Sequence, residues 1–472
     1  MAVILLSVHM CCISSCGWRP VKMFGEDHTA FSHNLARQSF QGGKQELGES
    51  VPGPGNAATL TLENCRHIAL TNNLAIQSAA LEGMTRQNLA SAEWAKMLPH
   101  TILSAKFDQG DNIIYSDIPG DSYWAGFYER SSWHLFLEAR WSPTDVALAY
   151  YSARNSDNRV LQSFYEKART SQKIVESVET AFFKLLGYQE CLPLAQDLVG
   201  LRKDIASRMG RLQKDRLASI EDYQKALNEE IRAQNMLAEL SSESQNQARI
   251  LLMYLGRPVS SIPSTRAVAV SGDLTCPSLS EIPPDPELVA LKNRPEIYTL
   301  GLKHLASIHD LRRSMVKNFP RVTMFWRYLN NPYHHRFAKD GYQAGLLLYL
   351  DLVDSLASFQ ETKAASNSKQ KTEKELSAAA LAIASQAAVA ATKCRLSVEK
   401  AQIRARAVAG AEKVVQAAEE RVRSRDLSDI SERRAKAELA LEKIEWLKAV
   451  GDALVNLAEL KSATGMNHSL SL

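Results

Sequence analysis

The sequence predicts a mainly α protein with a small β part: long antiparallel helical columns and four short strands, arranged as two copies of one unit. Three observations predict it. Two long segments carry heptad seams. Four short segments alternate apolar and polar residues with period two. One set of landmarks recurs at a fixed spacing. Composition is compatible. The chain has 472 residues, 45% hydrophobic and 23% charged, ordinary for a folded protein. Its 22 Gly and 16 Pro cluster, which leaves long stretches free of helix breakers. A net charge of +4 is too small to imply nucleic acid. No run reaches the ~18 consecutive apolar residues of a spanning helix, so a bundle of membrane helices is excluded.

Along the chain, residues 1–16 come first. Ala2 to Leu6 is apolar and the segment closes on Ile13-Ser14-Ser15-Cys16. A short apolar run ending in small residues reads as a secretory signal, and small-small-Cys as a lipoprotein cleavage site with Cys16 acylated. The absence of a basic residue before the run, and His9, Cys11 and Cys12 within it, fit an unprocessed N-terminus instead. Residues 17–59 are an extension and linker, marked by Gly42, Gly43, Gly48, Pro52, Gly53, Pro54 and Gly55.

The first unit covers 60–257. A helix over Leu60–Leu98 ends before Pro99, because the residue preceding proline is pushed out of the helical region. Two alternating segments follow, around Ala105 and Phe107 and around Leu135, Leu137, Ala139 and Trp141. Then a helix runs from Ser142 to Lys214 on a seam of Leu161, Phe164, Ala168, Ser171, Val175, Val178, Phe182 and Leu185. The return leg, Ser219–Leu255, carries Ile220, Leu227, Ile231, Leu237 and Leu240. Residues 258–286 are a proline-rich linker.

The second unit, 287–464, repeats the plan, and 465–472 are a tail. Leu70, Asn72, Ile76 and Pro99 recur as Leu291, Asn293, Ile297 and Pro320, each 221 residues later. The strands are Val322–Tyr328 and Ala344–Leu350. The long helix, Leu352–Val422, has a seam of mostly small residues: Ile383, Ala387, Ala390, Cys394, Val398, Ala401, Ala405 and Val408. The return leg is Ser428–Leu460, with Ile430, Ala437, Ile444, Leu447, Leu454 and Leu457. Each long helix would span roughly 105 Å, and each shorter one about half that.

Aromatics concentrate around the strands, as in the girdles of outer-membrane barrels. A soluble two-hairpin sheet with one buried face has the same alternation. Four strands cannot close a barrel alone, since closure takes about eight or more. A membrane-spanning version must therefore oligomerise. Cys65, Cys191, Cys276 and Cys394 are scattered and read as small apolar residues. Nothing groups a nucleophile with a base or assembles metal ligands, so no catalytic, cofactor or metal site is expected.

The chain resembles the TolC-type outer membrane efflux proteins, the outer membrane factors. The resemblance rests on Leu60-Thr61-Leu62-Glu63-Asn64, Ala69-Leu70 with Asn72-Asn73, the Leu98-Pro99 step into the strand, Leu217-Ala218-Ser219 with Asp222, and Leu291 with Asn293-Arg294-Pro295-Glu296. It runs from about Leu60 to Thr464. It implies a homotrimer whose four strands per chain close a twelve-stranded barrel in bacterial outer-membrane lipid, above an α-helical barrel in the periplasm. It further implies a passive duct of a tripartite efflux or type I secretion system, served by a periplasmic adaptor and a proton-driven or ABC inner-membrane transporter. No nucleic acid is expected. The rival is a soluble coiled-coil interaction scaffold, which explains the heptads but not the aromatic hairpins or the duplication.

On this reading two groups of residues carry function. Arg211, Asp215, Arg216 and Asp222 at one helical reversal, and Arg423, Arg425, Asp426 and Asp429 at the other, form the periplasmic tip and its aperture. Arg216 and Arg425 stand where the family usually has Gly, and Ser431 where it often has Asp. Glu138, Arg140, Arg321 and Arg327 face the lumen if Leu137 and Trp326 face lipid.

Overall fold

The computed structural model describes residues 60–109, 131–256, 270–329, 341–350, 352–423 and 429–466. The expected signal with Cys16, the first linker, and Arg425 and Asp426 lie outside the described residues. Two helices open the described chain, α1 (Leu62–Asn72) and α2 (Leu74–Ala95). Strands β1 (His100–Gln109) and β2 (Ser131–Trp141) follow, then α3 (Pro143–Lys214) and α4 (Ile220–Tyr254). The second unit supplies α5 (Pro286–Asn293), α6 (Pro295–Lys317), β3 (Arg321–Leu329), β4 (Gly341–Tyr349), α7 (Leu352–Arg423) and α8 (Asp429–Thr464). The described chain is thus mainly α with one small antiparallel sheet, as expected.

The duplication is structural. α3 and α7 are both 72 residues long. Pro143 and Leu352, Lys214 and Arg423, and Gly256 and Gly465 are each separated by 209 residues. The spacing falls from 221 to 209 between the two strands of each hairpin, where segment 110–130 is longer than its counterpart 330–340.

Local chemistry sets the helix ends. Ser142 and Ser219 accept hydrogen bonds from the backbone N–H of Asp145 and Asp222, capping α3 and α4. Pro143, Pro286 and Pro295 sit in first turns, where a missing N–H costs nothing. Pro193 lies inside α3 without ending it. The single entering helices expected over Leu60–Leu98 and Glu287–Phe319 are each broken in two, a correction to the sequence reading. At the first break Asn73 caps α2 by accepting from Ala75 N at 2.9 Å, and its amide donates to the Tyr254 carbonyl at 3.1 Å. At the second, Arg294 precedes Pro295, which cannot continue α5.

α3 packs against α1, α2, α4, α6 and α8, whereas α7 packs against α5, α6 and α8. The α7 seam is buried as expected except at Ala405, which is exposed. On α3 the seam is buried from Ser171 onward, while Leu161 and Phe164 remain about half exposed. On α4 the buried positions include Ala226, Ala233 and Leu240, spaced by seven, with Ser244, Leu251 and Leu252 beyond them, and Ile220 and Ile231 point outward. Small residues at the contacts let helix axes approach closely; Cys191, Ala195, Ala233, Ala437 and Ala440 share one cluster with Ile444. Cys65, Cys191 and Cys394 are buried, but Cys276 is exposed, against the expectation that all four serve as packing residues. Burial pushes the Cys191 thiol up to about 11. One 18-residue window of α7 is apolar enough by composition to cross a membrane, yet little of it is buried.

Candidate functional site

The sheet runs β1–β2–β3–β4, every neighbour antiparallel. Paired residues share a face and successive residues alternate. The register Glu138↔Arg327, Arg327↔Gln343 and Ile102↔Glu138 therefore fixes two faces. One carries Leu103, Phe107, Leu135, Leu137, Trp141, Val322, Met324, Trp326, Tyr342, Leu346 and Leu348. Several of these are strongly exposed, Leu346 at 63% and Leu348 at 65%. So large an uncovered apolar surface marks a face built for lipid or a partner. The opposite face holds Glu138, Arg140, Arg321, Thr323 and Arg327, with Phe136, Phe325, Leu347 and Tyr349. The four charged strand residues singled out in the sequence thus lie together, opposite Leu137 and Trp326.

Their ion pairs link the strands. Glu138 is buried and pairs with Arg140 and Arg327. Arg321 reaches the first turn of α3, pairing with Asp145 at 2.6 Å. These residues line a cavity of about 620 Å³ that continues to Lys96, His100 and Tyr349.

At the far end of the helices, Arg216 has φ +60°, alone among the described non-glycine residues in being positive. Leu217 N donates to the Leu212 carbonyl at 2.7 Å and Arg216 N to that of Gln213 at 3.1 Å. This is a Schellman cap, which places its C′ residue in the left-handed region and favours glycine there. The departure at Arg216 is therefore a backbone cost. Arg216→Gly is expected to stabilise the chain by about 1 kcal/mol, raising the thermal midpoint, because an L residue pays about 1–2 kcal/mol in that region. A lowered midpoint would count against it.

Beside this turn, Asp429 pairs with Arg208 and Arg433, and Arg433 with Asp204 at 2.7 Å. The two units are thereby tied together near their reversals. Asp222 serves its own helix start, accepting from the Ser219 hydroxyl at 2.8 Å. Arg211, Asp215 and Arg423 are exposed. The sequence reading did not isolate the charges at the middle of the helices. There Arg294, almost fully buried, holds Glu296 at 2.8 Å and Gln386 at 2.8 Å, and Arg169 approaches Glu296 at 2.6 Å from α3. Burial pushes Glu296 up, but the Arg294 hydrogen bond and the two guanidinium charges outweigh it and hold the carboxyl below its ordinary range.

A carboxyl depressed in the folded state stabilises above its unfolded pKa, about 4, and that contribution is lost as pH falls through the folded value. Denaturant titration from neutral to acid pH is expected to show Glu296→Gln less stable near neutrality and flatter on the acid side. Parallel pH profiles for the two proteins would count against it.

A two-faced sheet carried on paired long helices, the whole plan duplicated, is the fold of the TolC-type outer-membrane channels. The solved structures agree. CmeC, an outer membrane channel of Campylobacter jejuni, matches with TM-score 0.72 at 12% identity, covering 87% of both chains. VceC, an outer membrane protein of Vibrio cholerae, matches at 0.70 and 14%, over 86% of this chain and 96% of its own. MtrE, an outer membrane channel of Neisseria gonorrhoeae in its open state, matches at 0.66 and 14%, over 86% and 88%. No protein-family model and no curated protein matches the chain.

Proposed function

We propose that the chain is one protomer of a passive homotrimeric exit duct in the bacterial outer membrane, extending into the periplasm. It would serve a tripartite efflux or type I secretion system, with a periplasmic adaptor and a proton-driven or ABC inner-membrane transporter as partners. The observation that carries this is the sheet: four strands, one face apolar and exposed, the other charged. Among the described residues, β1 and β4 are edge strands without a further neighbour. In lipid each unpaired backbone group on such an edge costs several kcal/mol, so the sheet must close with other copies. Three copies supply twelve strands, an ordinary number for an outer-membrane barrel. Similarity to CmeC, VceC and MtrE supports the same reading.

On this proposal Glu138, Arg140, Arg321 and Arg327 line the bore. The tip residues Arg211, Asp215, Arg216, Asp222, Arg423, Arg425, Asp426 and Asp429 surround the periplasmic aperture. The test is to express the full chain, wash outer membranes with carbonate, extract the protein in detergent and record it in planar bilayers. Membrane retention, a trimeric mass and discrete conductance steps are expected. A water-soluble monomer overturns the proposal.

A further inference from the structure

The charged face of the sheet is not a balanced one. Arg140 and Arg327 share a single carboxylate, Glu138. The Glu138 side chain is 1% exposed, whereas that of Arg140 is 52% exposed and that of Arg327 32%. A solute over this face meets guanidinium, with the counter-charge beneath it. Arg327 is held in place by Phe136 and Phe325, whose ring centroids lie 5.6 and 5.4 Å from its Cζ. Phe325 in turn lies over Gly345, where an added Cβ would meet the ring at 2.7 Å. The glycine opposite thus leaves the room that the aromatic support of Arg327 occupies.

Among the described residues, two further cations near this face are paired. Arg321 pairs with Asp145 at 2.6 Å, and Lys96 with Glu93 at 2.6 Å. Among the described side chains, one positive charge per chain is left, displayed on the part-exposed guanidiniums of Arg140 and Arg327.

Resting on the duct reading, we propose that Arg140 and Arg327, repeated around the bore, form a cationic ring that makes this duct anion-selective. The cargo class it passes most readily is then solutes bearing carboxylate or phosphate. Rings of Arg or Lys select for anions because a fixed charge in a narrow, low-dielectric wall concentrates counter-ions.

The test uses the purified full chain in planar bilayers of phosphatidylcholine under a KCl gradient. The reversal potential is expected to show chloride more permeant than potassium. The preference should shrink as salt rises, because the Debye length contracts from about 10 Å at 0.1 M to about 3 Å at 1 M. Arg140→Gln should reduce the chloride preference, and adding Arg327→Gln should bring it to unity or reverse it. Arg140→Lys should keep it. A wild-type duct that prefers potassium overturns the ring, and so does an Arg140→Gln duct with an unmoved reversal potential. Absence of any conductance overturns the duct reading beneath it.

Discussion

Gly465→Ala is expected to destabilise the chain by about 2–5 kcal/mol, a sum of left-handed backbone cost and overpacking. Gly465 has φ +75°, and a Cβ built there would meet the carbonyl carbon and oxygen of Asn293, both at 2.9 Å. Neither atom can give way cheaply. Asn293 is the last residue of α5, one step before the break at Arg294, and the Arg294 N–H is bonded to the Ala290 carbonyl. Gly465 is also the turn residue of a Schellman cap: Met466 N donates to the Lys461 carbonyl at 2.8 Å and Gly465 N to that of Ser462 at 3.2 Å. The duplicated position supplies an internal comparison. Gly256, with φ +74°, would bring its Cβ to 3.1 Å from the Asn72 carbonyl oxygen. That approach is looser, so Gly256→Ala is expected to cost less than Gly465→Ala. Thermal or denaturant unfolding of both variants measures the order. An unchanged midpoint for Gly465→Ala would show that the α5–α6 break can move to accommodate a methyl group. Against a total stability of about 5–15 kcal/mol for a typical domain, the expected loss is large.

These contacts show where sequence reading stops. Gly256, Gly465, Asn72 and Asn293 are all visible as residues, and the 221-residue repeat already aligned the two asparagines. That each glycine closes onto its asparagine is a long-range fact, invisible to any local pattern. The strands were legible because alternation survives regardless of what covers them. Faces predicted from parity alone, with Glu138, Arg140, Arg321 and Arg327 opposite Leu137 and Trp326, agree with the register. The second long helix was legible because its seam of small residues recurs at steps of three and four, with one shift of phase between Cys394 and Val398. The α4 leg was legible in part: Leu240 is buried and Leu237 packs beside it, whereas Ile220 and Ile231, equally large, are exposed. Its contacts inside the chain use Ala226 and Ala233, and Ile220 and Ile231 are left outside. The Arg169–Glu296–Arg294 cluster was missed because Arg169 and Glu296 are far apart in the chain, and only the packing of α6 on α3 brings them together. The Asn293-Arg294-Pro295-Glu296 run was the one signal that could have pointed to it.

Large side chains left outside a fold are the basis of the second large expectation: Leu396→Asp together with Ile403→Asp abolishes the proposed trimer. α7 buries Ile383, Ala387, Ala390, Cys394, Val398, Ala401 and Val408 against its own chain. A second stripe is uncovered, with Val389, Leu396 and Ile403 at intervals of seven and exposures of 55%, 60% and 61%. The helices of the first unit show a different uncovered set, Leu74 and Leu81 on α2 and Ile220 and Ile231 on α4. Two unlike apolar faces on one chain fit a heterologous contact, and a heterologous contact that closes makes a ring. Burying one Leu or Ile contributes about 1.5–3 kcal/mol, and the two aspartates forfeit about twice that at every subunit contact and add two unpaired charges. Light scattering on the detergent-extracted double variant should give the mass of one chain. Far-UV circular dichroism should be unchanged, because neither side chain supports the fold of its own protomer. A trimeric mass would place the subunit contact elsewhere, whereas lost helicity would mean that the stripe packs within the chain.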